Sequence, residues 1–298
     1  KTMKTEHLSF IDAHHHLWDL GHCHYPWLIA RGEERFFGDP TPIQKNYLTK
    51  DFLAESQRYR PAASVHIQVG VSPEDELKET HWLQSLLPCP QAIVAATDLS
   101  APDLAETLDA HASCDRFRGV RQILGRHREE DKKHGSDALL DSSDFVSGLG
   151  ELAARKLSFD LQMIPEQMSR VIAALRRVPE LEVALCHCGS PWDQDTEGLA
   201  RWRQGLRQLA QLPNVTCKVS GLGMFNPDWT ADELRPLILD VIDIFSPARV
   251  MFGSNFPVDK LYNSYDALWQ AYEQATDAFT STEKQRMFYQ NAADFYRI

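Results

Sequence analysis

The segment Ile11-Asp12-Ala13-His14-His15-His16-Leu17-Trp18-Asp19 carries the densest chemistry in the chain. In an extended strand alternate side chains share a face, so His14 and His16 point one way, with Asp12 one step below them, and His15 points the other. Two imidazoles about 7 Å apart at a strand end can share a divalent metal or an anionic substrate. A histidine-rich surface turn or a tag remnant is the competing reading. The run is short and is framed by apolar strand residues and Trp18, which disfavours both.

Other polar residues close apolar runs further along: Gln68, Asp98, Arg121, Gln162, His187, Lys218 with Ser220, and Asn255. A polar group ending an apolar strand is costly unless partnered, so one convergent cup explains them together. His22-Cys23-His24 is a weaker metal candidate, because adjacent side chains diverge. Six cysteines in 298 residues do not make a disulfide framework. Cys186 and Cys188 flank His187 and are expected to face away from it as small buried groups.

The elements that must position these groups alternate. Strand patterns cover 10–16, 63–70, 92–98, 117–124, 157–164, 182–189, 214–221 and 249–256. Between them, Ser72-Pro73 opens a helix expected to bury Leu77, Leu83, Leu86 and Leu87. The stretch 165–178 aligns Met168, Val171, Ile172 and Leu175. The stretch 231–245 aligns Leu234, Leu237, Ile238, Val241, Ile242 and Phe245. A last helix is expected to open on the Thr282-Glu283-Lys284-Gln285 capping pattern and run to the terminus. Eight strands joined by helical crossovers require parallel pairing, and a single (β/α)8 TIM barrel over residues 1–298 fits that count. No Gly-rich phosphate fingerprint follows the first strand, which disfavours a nucleotide-binding sheet. Residues 19–50 lack helical periodicity but hold Tyr25-Pro26-Trp27 and Phe36-Phe37-Gly38, and are expected to form a lid over the barrel mouth.

Composition bounds the function. With 43% apolar and 24% charged residues the chain sits among ordinary globular proteins rather than disordered ones. A net charge of −11 disfavours nucleic acid and anionic membranes as partners. No apolar run is long enough to span a bilayer and no signal core opens the sequence, so a cytoplasmic location is expected. Met3 reads as the natural start.

In series, several motifs resemble one family. They are the D-x-H-x-H-x-W-D opening from Ile11 to Asp19, Tyr25-Pro26-Trp27-Leu28, Gly119-Val120-Arg121-Gln122, and His187 before Gly189. Then come Lys218-Val219-Ser220-Gly221-Leu222, Met251 to Pro257, Asn291-Ala292 and Phe295-Tyr296. The chain resembles the amidohydrolase superfamily (amidohydrolase 2 branch), and within it the TIM-barrel enzymes that include sugar-acid lactonases and 2-pyrone-4,6-dicarboxylate lactonase. The resemblance implies that His14 and His16 match a first-strand pair that binds a divalent metal in many members. It implies that His187 matches a sixth-strand histidine that touches the attacked carbonyl or the metal. Arg121 and Lys218 then look like partners for a substrate carboxylate or hydroxyl, with Trp18, Gln68 and Gln162 beside them. The substrate is expected to be a small anionic molecule, and an oligomer is left open. No run resembles the fourth-strand bridging lysine of two-metal members. One divalent ion, zinc first, is therefore expected, with metal-independent chemistry as the alternative.

One position departs. Members end strand eight with an aspartate that takes a proton from the attacking water, and here Asn255 stands in Phe252-Gly253-Ser254-Asn255-Phe256-Pro257. An amide cannot accept that proton at neutral pH. Three explanations compete. Another group acts as base, either Asp259, His14 or a metal-bound water; the amide was introduced to trap a ligand; or hydrolysis has been given up. Separately, three functions are weighed: opening of a lactone of a sugar acid or carboxylated metabolite, decarboxylation of an unsaturated acid at a mononuclear zinc as in a sister branch of the superfamily, and ligand binding without catalysis, which Asn255 favours.

Overall fold

Every predicted β-rich run forms a strand, each parallel to the next: β1 Ile11–His15, β2 Ala63–Ile67, β3 Ala92–Ala95, β4 Phe117–Arg121, β5 Ser158–Leu161, β6 Val183–Leu185, β7 Val215–Val219 and β8 Val250–Phe252. The structure, a computed structural model, describes residues 8–134 and 137–298; Met3 lies outside the described residues. Spatial order follows chain order because each connection passes through a helix, the arrangement of a (β/α)8 barrel. The strands are shorter than predicted because Gln68, Gln162, His187, Ser220 and Asn255 already lie beyond the ladder.

The ring closes between β8 and β1. Asn255 N donates to His14 O and His16 N donates to Phe256 O, both at 2.7 Å. Gly253 permits this approach, since a Cβ there would lie 2.6 Å from His14 Cβ and 2.7 Å from His14 N. On the other side of β1 the register runs Asp12↔Ser64 and then His15↔His66. One extra residue in β1 makes a bulge, which reverses the side-chain alternation. Asp12 therefore does not share the face of His14 and His16, contrary to the parity expected for an unbroken strand. It turns outward and accepts from His14 N (3.2 Å), Ser254 N (2.9 Å) and Tyr265 Oη (3.0 Å). Burial raises its pKa to about 6 against these hydrogen bonds. His15 faces away as expected, bonding Ser64 Oγ at 2.9 Å and stacking on Phe52.

Ile11, Ala13, Ala63, Val65, Ile67, Ala92, Val94 and Met251 pack together with Ala292, Ala293 and Tyr296 of the helix Asn291–Tyr296. That helix plugs the end of the barrel opposite the strand C-termini: Arg118, early in β4, donates to Tyr296 O at 2.9 Å. The chain reaches it through a helix Ser281–Gln285 and a π turn Arg286–Gln290, not one continuous helix. Its capping box is made by Thr280 with Glu283 rather than at Thr282, so the predicted start is two residues late.

Periodicity places the longer helices correctly. All six predicted apolar residues of Ala231–Phe245 are buried, as are the four of Met168–Leu175, each contributing about 1.5–3 kcal/mol. The helix Glu76–Gln84 differs. Only Leu83 of its predicted core residues is buried, Leu86 is half-buried, and Leu77 and Leu87 are exposed, because the helix stops at Gln84 and Glu79 and Thr80 take the inward positions.

The first connection lies over the mouth. Trp18 pairs with Tyr47 in an antiparallel bridge that closes the loop at its base. Arg35 forms an ion pair with Glu130 after β4, and Phe36 N donates to the same carboxylate at 3.0 Å. The Phe36 ring stacks on His127 and Phe225, and Tyr262 Oη donates to Phe37 O at 2.5 Å. The segment thus bridges the loops that follow β4, β7 and β8.

Candidate active site

His14 is fully buried, and among the described residues neither of its ring nitrogens has a hydrogen-bond partner. Its ring centre lies 4.6 Å from that of His187 and 5.2 Å from that of His16, so strand ends β1 and β6 converge. His187 does not sit on its strand. It follows β6 in the left-handed region (φ 54°), with Cys188 likewise (φ 55°), and its Nδ1 lies 2.9 Å from Ser220 Oγ. Gly221, itself at φ +65°, makes room for that ring: a Cβ there would stand 2.4 Å from His187 Nδ1. The left-handed turn also voids the parity argument for the flanking cysteines. Cys186 turns toward Asp160 in the barrel, with Sγ 3.7 Å from Asp160 Oδ2.

Burial holds all three imidazoles neutral. It pushes His14 and His16 well below the usual histidine range and His187 down to about 3, with Lys218 and Arg121 adding cationic repulsion. His16 Nδ1 must donate to Ile67 O (2.7 Å), which leaves a lone pair on Nε2. Facing it at 3.3 Å is Asn255 Oδ1, another acceptor, because Asn255 Nδ2 donates to Asp259 Oδ1 at 2.8 Å. Two lone pairs aimed at each other do not make a hydrogen bond. They fit as neighbouring ligands of one cation, and the unpartnered nitrogens of His14 fit as a further donor. Asn255 sits at φ 55°, a conformation that asparagine and aspartate tolerate better than other non-glycine residues.

Asp259 is buried, its Oδ2 has no partner among the described residues, and burial raises its pKa to about 7. A carboxyl with that pKa can hold or release a proton near neutrality.

Arg121 bounds the same space. Its Nη1 donates to Gln162 Oε1 (2.9 Å) and its Nη2 to Gln68 O (2.6 Å), while its buried Nε has no partner among the described residues. The Gln68 side chain turns away and accepts from Gly70 N at 2.7 Å. Lys218 is not free to meet a substrate: it is wholly buried and its Nζ lies 2.5 Å from Asp160 Oδ2. Trp18 is likewise buried and its Nε1 donates to Lys45 O at 2.7 Å, so it anchors the lid. Asp98 is outside the cup, exposed and accepting from Ser100 N and Oγ.

The sequence reasoning missed Asp160, Cys186, Tyr296 and Glu79. Asp160 had a signal, standing two residues before Gln162 in the same run and so on its face. Tyr296 stood in the Phe295-Tyr296 motif but with no role attached: its Oη reaches Asp160 Oδ1 (2.9 Å) from 136 residues away.

A family model described as Amidohydrolase matches residues 11–298. An uncharacterized protein of Sinorhizobium fredii is 40% identical over 98% of this chain and 99% of its own length. An L-fucono-1,5-lactonase of Burkholderia multivorans is 32% identical over 97% of this chain and 96% of its own. A crystal structure of an amidohydrolase from Burkholderia multivorans with bound zinc superposes with a TM-score of 0.83 at 28% identity, over 97% of this chain and 99% of that one.

Proposed function

The chain belongs to the amidohydrolase family, and from that premise we propose that it hydrolyses a lactone of a sugar acid or a similar carboxylated small molecule. The observation that carries this reading is the convergence of His14, His16 and His187 on Asn255, with Asp259 directly behind the amide. His14, His16, His187 and the Asn255 carbonyl would hold a divalent ion of the zinc type, which when bound would polarise the lactone carbonyl. Without an ion, His187, oriented by Ser220 at Nδ1, would instead donate from Nε2 to the oxyanion that develops on attack. Asp259, whose pKa of about 7 matches base chemistry, takes the proton from water that the missing strand-eight aspartate would otherwise take. Asn255 keeps the Asp259 carboxyl in place through Nδ2 and presents Oδ1 to the cup. Arg121 offers its unpartnered Nε to a carboxylate or hydroxyl of the substrate. The lid from residue 19 to 50 excludes bulk water.

Opening a lactone near neutral pH releases a proton, so a pH-indicator screen of sugar-acid lactones, L-fucono-1,5-lactone included, with and without chelator, tests the reading. Turnover that is lost in His187→Ala and in Asp259→Asn, and retained or raised in Asn255→Asp, is expected. Absence of turnover on every lactone, or full activity of His187→Ala, overturns it.

A further inference from the structure

We propose that Cys186 is a thiolate ligand of the cation that His14 helps to hold, so that the site has one sulfur donor beside the His14 imidazole. The inference rests on the metal-binding part of the reading above and adds a residue to it.

Ligand atoms of His14, Cys186 and Asp160 all lie within 4.8 Å of one another, and all three residues are fully buried. The three are not equally available. Asp160 Oδ1 accepts from Tyr296 Oη at 2.9 Å and Oδ2 lies 2.5 Å from Lys218 Nζ, so its lone pairs are engaged. His14 has two nitrogens without partners among the described residues. The Cys186 sulfur has long contacts, 3.7 Å to Asp160 Oδ2 and 4.0 Å to Ala184 O, which hold a thiol weakly, and it also lies against the Arg121 guanidinium. A cation between His14 and Cys186 would satisfy both. Burial, with the Asp160 charge, keeps this thiol protonated until a cation displaces the proton, while Lys218 and Arg121 pull the other way. The neighbouring Cys188 belongs elsewhere: its carbonyl accepts from Trp202 Nε1 at 2.7 Å and its thiol is hydrogen-bonded with that of Cys217, both cysteines being free.

Binding breaks the Cys186 S–H bond, releases that proton to solvent, and forms a sulfur–metal bond in place of one water of the hydrated ion, with no change of oxidation state. A sulfur donor makes the site select zinc, cobalt or cadmium over magnesium or manganese.

Protein freed of metal is titrated with Co2+ and followed by absorption. The expected result is a near-ultraviolet sulfur-to-cobalt charge-transfer band together with visible ligand-field bands, the former lost in Cys186→Ser and kept in Cys188→Ser. Ligand-field bands without the charge-transfer band overturn the inference while leaving the histidine site standing, as does a charge-transfer band that survives Cys186→Ser. No cobalt spectrum at all overturns both the inference and the metal-binding part of the functional reading, which the chelator arm of the lactone screen tests separately. Should Cys186→Ser fail to fold, 113Cd NMR of the unaltered protein decides. Sulfur ligation moves the cadmium resonance far downfield, and a resonance at the nitrogen–oxygen position overturns the inference.

Discussion

Glu79 should make this protein lose stability as pH rises. It sits on the inward side of the helix Glu76–Gln84, it is 1% exposed, and its Oε2 has no partner among the described residues. Burial raises its pKa from 4.5 to about 8, opposed by a Val69 backbone hydrogen bond and by the Arg121 charge. Between those two pH values the native state holds a proton that the unfolded state has released. Stability is therefore fully present below pH 4.5 and is lost as pH climbs through 8. At about 1.4 kcal/mol per pH unit, and with most of that window between pH 5 and 8, the loss over that range is about 3 kcal/mol. Glu79→Gln keeps the shape and removes the titration. Urea unfolding followed by tryptophan fluorescence at pH 5, 6.5 and 8 should show the variant within about 1 kcal/mol of the unaltered protein at pH 5 and about 3 kcal/mol above it at pH 8. The difference between the two proteins isolates Glu79 from Asp12 and Asp259, which also titrate high. Parallel pH profiles, or a variant that is weakened equally at both ends, would refute the reasoning. A neutral Glu79 also leaves the Arg121 guanidinium uncompensated on that side, which suits a cup that receives an anion.

Lys218→Met leaves Asp160 charged and buried and should cost about 3–5 kcal/mol in denaturant unfolding, with most of it returned in the double variant Lys218→Met/Asp160→Asn; a double variant as weak as the sum of the singles would contradict the pairing. Gly253→Ala sets a methyl group against the His14 backbone and should cost more than about 2 kcal/mol, measured the same way, because the seam between β8 and β1 must open. Glu130→Ala removes the partner of both Arg35 and Phe36 N, so cleavage of the 19–50 loop in limited proteolysis should quicken several-fold while the barrel stays intact; an unchanged cleavage rate would mean that the lid is held elsewhere.

Much of the architecture was legible because it depends on neighbours in sequence. Short β-rich runs marked all eight strands, and helical spacing marked the buried faces of Met168–Leu175 and Ala231–Phe245. The helix Glu76–Gln84 was misread where composition misled: its leucines continue past the point where the backbone leaves the helix, and a carboxyl occupies the inward side.

For the site, residue types and strand-end positions were enough to nominate His14, His16, His187, Asn255 and Arg121, because each ends or follows a strand and a barrel gathers those ends on one face, while Asp259 came in only through the family resemblance, as a substitute base. Their contacts needed the closed ring. The bulge that turns Asp12 outward arises from the register of β1 against β2, and a strand in isolation has no register. The left-handed turn at His187 is tolerated because Gly221 and Ser220 of the next strand end leave it space and a partner. Lys218 met Asp160 and Tyr296, rather than a substrate, because β5, β7 and the C-terminal helix enclose one volume from which water is excluded, and a charge there must find its opposite within the protein. Side-chain type and spacing along the chain determined which chemistry was available; which groups were left unpartnered to perform it was decided by the closing of the barrel.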